Sequence, residues 1–378
     1  MSGLFNIPGG WQRSGMALAA LLAAVLSLSQ GADGAAAQPS GWVLAALVAA
    51  VALAFGYQPR LRQGLRVLLL LAFWNALVVA AAGLAMRQGG GEGPAFWSAL
   101  VAVWLGGWTL VAFVAQVRPK PGLWARLQPL IAPLVFGVTL LWAWESVVKV
   151  LEVPRVILPA PTQIGVRLAS STDVLWTDLV QTFVRGTLSG FAIGCGAAVL
   201  FALVVDRYGF LRRGLLPVGN FLAALPIIGT APIFVMWFGF DWPSKAAVVV
   251  AMVFFPMLVN TVQGLASTEA MQRDLMRTYS AGWWQTLMTL RLPAAMPFIF
   301  NGLKICATLA LIGAIVAEFF GSPTRGMGFR ISTEVGRLQL DMVWAEIAVA
   351  ALLGSAFYGF WALLERRVTF WHPSQRSS

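Results

Sequence analysis

Residues 270–304 read AMQRDLMRTYSAGWWQTLMTLRLPAAMPFIFNGLK. The stretch joins two apolar segments of membrane length. It carries Arg273, Asp274, Arg277 and Arg291, and it has no run of Gly, Ser or Pro that would make a loose linker. That composition suits a docking element better than a tether. From Asp274 to Trp284 the spacing predicts a short helix, with Leu275, Tyr279 and Trp283 on one side at i, i+4, i+8 and Arg273 and Arg277 beside them. Leu292-Pro293 is expected to punctuate the return toward the membrane, because a residue before proline is pushed out of the helical region.

The rest of the chain explains why this polar stretch stands out. Of 378 residues, 59% are hydrophobic and only 11% charged, which is more apolar surface than a soluble core can bury. An all-α polytopic membrane protein is the fold class this implies. The formal charge of +11 does not indicate a nucleic-acid partner: the basic residues stand singly or in small groups between apolar segments, a pattern that sets membrane orientation. Cys195 and Cys306 both lie inside apolar runs and read as small core side chains. The single histidine, His372, sits in a polar tail with no evident partner for metal binding or base catalysis.

About ten apolar segments can be drawn, at 14–29, 41–57, 67–86, 95–116, 130–150, 186–205, 220–240, 244–265, 296–318 and 343–363. With the amino terminus in the cytoplasm, Arg60, Arg62 and Arg66 fall inside, as do Arg118, Lys120 and Arg126, then Arg207, Arg212 and Arg213. Arg273, Arg277 and Arg291 follow, and Arg366, Arg367 and Arg376 close the series. The short outer loops at 30–40 and 87–94 hold one basic residue between them, so the positive-inside rule places both termini in the cytoplasm. The first segment has a second reading. Arg13, an apolar run from Met16 to Leu28, and Ala35-Ala36-Ala37 share the layout of a cleavable secretory signal over residues 1–37.

Segments two to four have alanine-rich faces suited to close packing and read as an accessory bundle. The stretch RPKPGLWARLQPL at 118–130 is either an interfacial elbow or an ordinary cytoplasmic loop, and the domain boundary is expected there, at 128/129. Gly186, Gly190, Gly194 and Gly196 allow backbone-to-backbone contact and mark a central packing helix. Within FLAALPIIGTAPIFVMWFGF at 221–240, Pro226, Gly229 and Pro232 interrupt one span. Such breaks are tolerated where protein or a watery path satisfies the freed backbone, so a pore-lining helix is favoured over a kinked structural one.

Charges at membrane depth are few: Glu145, Lys304, Glu318 and Glu346. Each is costly there and is expected to face a partner or a cavity. Glu318 reads first as structural at the outer mouth, capping or pairing with Arg325, and second as a substrate contact. Pro226, Thr230, Asn260, Asn301 and Glu318 are the candidates for a translocation path, although a polar side chain in an apolar helix is more often a helix-to-helix hydrogen bond. No segment matches the phosphate-cradling pattern G-x-x-x-x-G-K-[ST], so no nucleotide site of that kind is expected on this chain.

The 270–304 stretch resembles the cytoplasmic loop of ABC importer permeases, whose pattern is Glu-Ala-Ala-x-x-x-Gly-Ala, a spacer, then Leu-Pro. It is most similar to the nitrate/sulfonate/taurine branch of binding-protein-dependent permeases. Anchored on Leu292-Pro293, Thr278, Ala281 and Gln285 match that branch, and Pro297 and Gly302-Leu303-Lys304 continue the pattern. ILPAPTQIGVRL at 157–168, AEFFGS at 317–322 and RGMGFR at 325–330 are similar to further features of the branch. Asp274 stands in for the family Glu, Leu275 and Met276 for small residues, and Ser280 for the family Gly, with Gly282 two positions later. The turn is therefore either offset by two residues or tolerant of serine.

The resemblance implies a type I importer permease core of six helices over 129–378, preceded by about four accessory helices in 1–128. It implies an inner-membrane homodimer in lipid, two separate ABC ATPase subunits that bind ATP and Mg, and an extracytoplasmic solute-binding protein. It assigns ATPase coupling to the loop 266–292, on Arg273, Leu275, Arg277, Thr278, Tyr279, Ser280, Ala281, Gly282 and Trp283, with Leu292 and Pro293 at the loop-to-helix turn. The implied cargo is a small solute, either a nitrate-, sulfonate- or taurine-like anion or a pyrimidine-type compound. An ion-coupled secondary transporter is the alternative class. It calls for titratable groups near the midplane and often inverted repeats. An intramembrane enzyme calls for a nucleophile with its base, or a metal cluster, and neither is evident in the sequence.

Overall fold

The computed structural model describes residues 123–208, 210–211, 214, 227–321 and 325–371, together with Val103, Trp104, Gly107 and Val111. The first three expected spans, most of the fourth, the signal reading of 1–37, Pro226 and His372 lie outside the described residues. Everything regular among the described residues is helical. The chain divides into two compact units, residues 1–163 and 164–378.

In the first unit the main described element is α1 (Leu123–Val150), of which Pro129–Val150 is long and apolar enough to cross a membrane. Glu145, one of the expected membrane-depth charges, pairs with Lys149 at 2.6 Å. Its carboxylate also accepts from the backbone N–H and hydroxyl of Thr162, at 2.9 and 2.7 Å. Thr162 lies in the first turn of α2 (Pro161–Ser170), where a backbone N–H has no partner within its own helix.

Of the five membrane-length spans among the described residues, the second unit holds four: Thr172–Arg207, Trp242–Ala266, Trp283–Gly321 and Leu340–Val368. The first comprises α3 (Thr172–Leu179), a π-helical segment (Val180–Leu188) and α4 (Ser189–Arg207). A short apolar helix, α5 (Ile227–Phe238), ends at Gly239, whose φ of +83° suits glycine and lets its N–H reach Val235 O at 2.8 Å. Next, α6 (Trp242–Ala266) opens on Asp241, which accepts from Trp242 N at 2.7 Å, and has Pro243 in its first turn, where the missing N–H costs nothing. Then come α7 (Ala270–Thr278), α8 (Trp283–Thr286), a second π-helical segment (Leu287–Arg291), α9 (Leu292–Gly321), α10 (Met327–Gly336) and α11 (Leu340–Val368).

The core lies where α6 packs against α4 and α9, with Phe357 of α11 closing one side. Phe191, Cys195 and Ala198 of α4 meet Val249, Val253 and Met257 of α6 and Cys306, Ala307 and Ala310 of α9. Both cysteines are free and buried, as their apolar contexts suggest. The glycine run is a packing device in two of its four members. A Cβ on Gly190 would meet Val249 Cβ at 2.5 Å and Ala246 O at 2.8 Å, and one on Gly194 would come within 3.1 Å of the Val250 Cα. Gly196 faces open space, so its place in the run carries no packing constraint.

The all-α, multi-pass architecture expected from the sequence is present among the described residues, with five candidate spans. Segments 130–150, 186–205, 244–265, 296–318 and 343–363 each fall within one of them, and 220–240 appears as the shorter α5.

Candidate functional site

The stretch between α6 and α9 projects from the bundle as a knuckle with two different halves. Its first half, α7, begins after Glu269, whose N–H donates to the side-chain oxygen of Gln272 at 3.1 Å, one arm of a capping box. No residue of α7 is buried. Met271, Leu275 and Tyr279 are 79%, 56% and 76% exposed and recur every four residues, so they form one apolar ridge. Arg273 and Arg277 are also exposed; Arg277 reaches Asp274 at 3.3 Å, and Thr278 donates to Asp274 O at 3.0 Å.

α7 ends in a Schellman turn. The Ser280 N–H bonds Arg277 O at 2.8 Å and the Ala281 N–H bonds Met276 O at 3.0 Å, with Ser280 in the left-handed region at φ +52°. The position where the importer family carries glycine is thus one that demands the left-handed conformation. Serine occupies it here without any shift of the turn. Gly282 has φ of −66° and donates to Gln285 Oε1 at 2.9 Å, so it is not the turn glycine displaced by two residues.

The break at Tyr279–Gly282 corrects the expected helix and its ridge. Helix α7 stops at Thr278, so Leu275, Tyr279 and Trp283 do not share one continuous face, and the exposed ridge lies one turn earlier, on Met271, Leu275 and Tyr279. Trp283 instead turns inward. It packs against the core and lies under Arg207, whose guanidinium carbon is 4.8 Å from the ring centroid. Leu292 and Pro293 are corrected as well. Leu292 is helical, with φ −68° and ψ −46°, and the helix runs unbroken from Trp283 to Gly321. The i→i+5 pairing of Leu287–Arg291 rearranges the carbonyls ahead of Pro293, and the ring is accommodated without ending the helix.

The second half of the knuckle is tightly held. Leu287 is fully buried in the core. Arg291 donates from Nη1 and Nη2 to the two carboxylate oxygens of Asp206 at 2.7 and 2.6 Å, and from Nε to Leu265 O at 3.1 Å. Asp206 was not singled out from the sequence. The one available signal was an acidic residue at the end of a span, next to otherwise basic positions.

The expected path residues divide. Asn260 and Asn301 come together at 3.3 Å across α6 and α9, and Asn260 also donates to Pro256 O at 2.8 Å, which is a helix-to-helix link. Thr230 is half-buried on α5. Lys304 pairs with Glu365 of α11 at 2.6 Å. Glu318, 1% exposed, accepts from the Thr182 hydroxyl at 2.8 Å and from Gly328 N at 2.9 Å at the start of α10. Asp178 accepts there from Gly326 N at 2.7 Å and from Arg330 Nε at 2.8 Å, and Thr182 accepts from Met327 N at 2.8 Å. Glu346 of α11 is fully buried beside Asp178. Lys245, also buried, donates to Phe240 O and Gly321 O. A cavity of about 710 Å³ between α4, α6, α9 and α11 is lined by apolar side chains such as Phe191, Met257, Phe357 and Trp361, and not by Thr230, Asn260, Asn301 or Glu318. Among the described residues no group of His, Cys, Asp or Glu is arranged to hold a metal ion.

Comparison with known proteins places this geometry. The family of inner membrane components of binding-protein-dependent transport systems matches residues 190–370. The formylaminopyrimidine transport permease protein of Halalkalibacterium halodurans is 30% identical over 254 residues, covering 66% of this chain and 99% of that protein. A putative aliphatic sulfonates transport permease protein of Bacillus subtilis is 29% identical over 265 residues, 68% of this chain and 93% of its own length. The taurine transport system permease protein of Escherichia coli is 29% identical over 244 residues, 62% and 86% of the two chains. Permeases of ABC importers work in general with ATPase subunits and a solute-binding protein. The chain belongs to the multi-pass inner membrane components of binding-protein-dependent transport systems, the permease subunits of ABC importers.

Proposed function

We propose that this chain carries a small solute inward as one half of a permease homodimer, driven by two ATPase subunits that each receive α7 in a surface groove. ATP and Mg are bound in those subunits. The helices of 129–378 form the moving core, 1–128 supplies accessory spans, and both termini lie in the cytoplasm.

The observation that carries this reading is α7 itself: a capped helix between two membrane spans, with an apolar ridge and no buried residue. Magnitudes decide which of its groups matter. Burying a side chain such as Met271 or Leu275 in a partner contributes about 1.5–3 kcal/mol. An exposed ion pair contributes about 0–1 kcal/mol. The ridge therefore supplies the affinity, and Arg273 and Arg277 supply the register against acidic groups. Closing of the ATPase pair brings the two α7 helices of the dimer together and turns the attached spans, which exchanges outward for inward access.

The names of the relatives suggest the cargo class: a small sulfonated or otherwise anionic compound, or a pyrimidine-type compound, delivered by the binding protein. Met271→Asp and Tyr279→Asp each place a charge on the ridge and leave the core untouched. Both variants are expected in the membrane at parental levels, with the ATPase lost on affinity purification and uptake reduced to background. Normal uptake in both would overturn the docking role. Equilibrium binding of taurine, of an alkanesulfonate and of formylaminopyrimidine to the cognate binding protein decides between the cargo classes.

A further inference from the structure

The knuckle leaves α6 immediately after Leu265 and returns to the bundle through Leu287–Arg291. Both of its roots meet at one guanidinium. Arg291 Nε holds the Leu265 carbonyl at the exit, and its two terminal nitrogens hold Asp206 at the end of α4. The Asp206 side chain is 2% exposed and that of Arg291 15%, so water screens the pair little, and the two-pronged geometry fixes orientation as well as distance. Arg207, the next residue on α4, lies over Trp283, on the other side of the same root.

We propose that Asp206 is a positioning residue for coupling: through its bidentate pair with Arg291 it joins α4 to the roots of the knuckle, so that a displacement of α7 moves the cytoplasmic ends of α4, α6 and α9 as one body. The proposal rests on α7 being the ATPase contact. Without Asp206 the guanidinium holds α6 alone, and α4 keeps the looser contact of Arg207 over Trp283. A push on α7 then swings the root relative to α4, which carries the Gly190 and Gly194 packing surface, instead of moving both. Hydrolysis continues, because the ridge still seats in the ATPase, but fewer cycles move solute.

The test uses the complete importer in liposomes, with ATPases and binding protein, and measures ATP hydrolysis and solute uptake in the same vesicles. Asp206→Asn removes the charge and keeps the shape. It is expected to retain the ATPase at parental stoichiometry and to keep binding-protein-stimulated hydrolysis, while uptake per ATP falls about tenfold, within the range by which one side chain alters coupling. Arg291→Lys keeps the cation but loses the fork, and carries the same expectation if Asp206→Asn does not accumulate in the membrane. Unchanged uptake per ATP in Asp206→Asn or Arg291→Lys overturns the clamp, as does a fall in hydrolysis and uptake in equal proportion, which marks a structural loss. If Met271→Asp and Tyr279→Asp keep the ATPase and transport normally, the docking reading fails, and the clamp fails with it. If they lose the ATPase while Asp206→Asn keeps the parental ratio, only the clamp fails.

Discussion

Ser280 holds a backbone conformation, φ +52°, that costs an L side chain roughly 1–2 kcal/mol and costs glycine nothing. Two hydrogen bonds close the turn around it, from Ser280 to Arg277 O and from Ala281 to Met276 O, and these satisfy carbonyls that the end of α7 would otherwise leave open. The cost is local, since α7 buries nothing and its fraying does not unfold the bundle. Amide hydrogen exchange over residues 276–282 is therefore the appropriate measurement. Ser280→Val adds a β-branched side chain to the strained position and is expected to speed exchange there about tenfold, the equivalent of roughly 1–2 kcal/mol. In Ser280→Gly, relief of strain is offset by the greater backbone freedom of glycine, so exchange stays within about threefold of the parent. Gly282→Ala is the control. A Cβ there meets only Gln285 Oε1, at 3.9 Å, and φ is negative, so no change is expected. If Gly282→Ala opened the turn and Ser280→Val did not, the assignment of the turn residue would be reversed.

α10 depends on side chains from elsewhere for its first hydrogen bonds. Its first N–H groups have no carbonyl partners within the helix, and Asp178, Thr182 and Glu318 accept from Gly326, Met327 and Gly328 in turn. Gly326 has φ of +121°, and a Cβ on it would meet the Glu318 carboxylate at 2.5 Å, so both the turn and the acceptor require glycine there. Glu318→Ala strands the Gly328 N–H and the Thr182 hydroxyl in a buried site, at about 1–3 kcal/mol for each group left unsatisfied. Its thermal midpoint in detergent is expected to fall by several degrees, and Glu318→Gln, which keeps an acceptor, to fall less. Uptake per ATP is expected to be parental in both. A parental midpoint combined with a raised KM for the solute would instead make Glu318 a substrate contact. The sequence carried part of this arrangement. Glu318 was visible as a charge in an apolar run that has to find a partner, and the RGMGFR stretch at 325–330 through its similarity to the permease branch. The partners were not visible, since Thr182 lies 136 residues away and Asp178 is separated from Gly326 by 148. For the same reason the pairing of Asp206 with Arg291, 85 residues away, was not legible, although an acidic residue at the end of a span was. The knuckle was legible as an element, but its register was not. The helix is closed off by a serine, two residues past its end, in a conformation that composition does not announce, and the π-helical turn at Leu287–Arg291 hides a proline that would otherwise signal a break.

For the whole molecule, the reading depends on which side of the membrane the knuckle faces. The proposed orientation, drawn from the charge pattern, has it inside, with Arg207, Arg273, Arg277 and Arg291 on the same side and the loop between α10 and α11 on the opposite one. The bundle permits a direct test, because its two native cysteines are 4% and 0% exposed and give little background with a charged maleimide. Met271→Cys puts a thiol at a position 79% exposed on α7, and Leu338→Cys puts one at a position 61% exposed between α10 and α11. The spans Trp283–Gly321 and Leu340–Val368 flank α10, so a chain that enters the membrane at the knuckle emerges on the other side at α10. In right-side-out vesicles an impermeant maleimide is expected to label Leu338→Cys and not Met271→Cys, and in inverted vesicles the preference reverses. In inverted vesicles, adding the ATPase before the maleimide should shield Met271→Cys several-fold and leave any label at Leu338→Cys unaltered, which separates sidedness from contact. Labelling of Met271→Cys from the outside would place the exposed ridge where no cytoplasmic ATPase can reach it, and energy from hydrolysis would then have to enter the permease elsewhere.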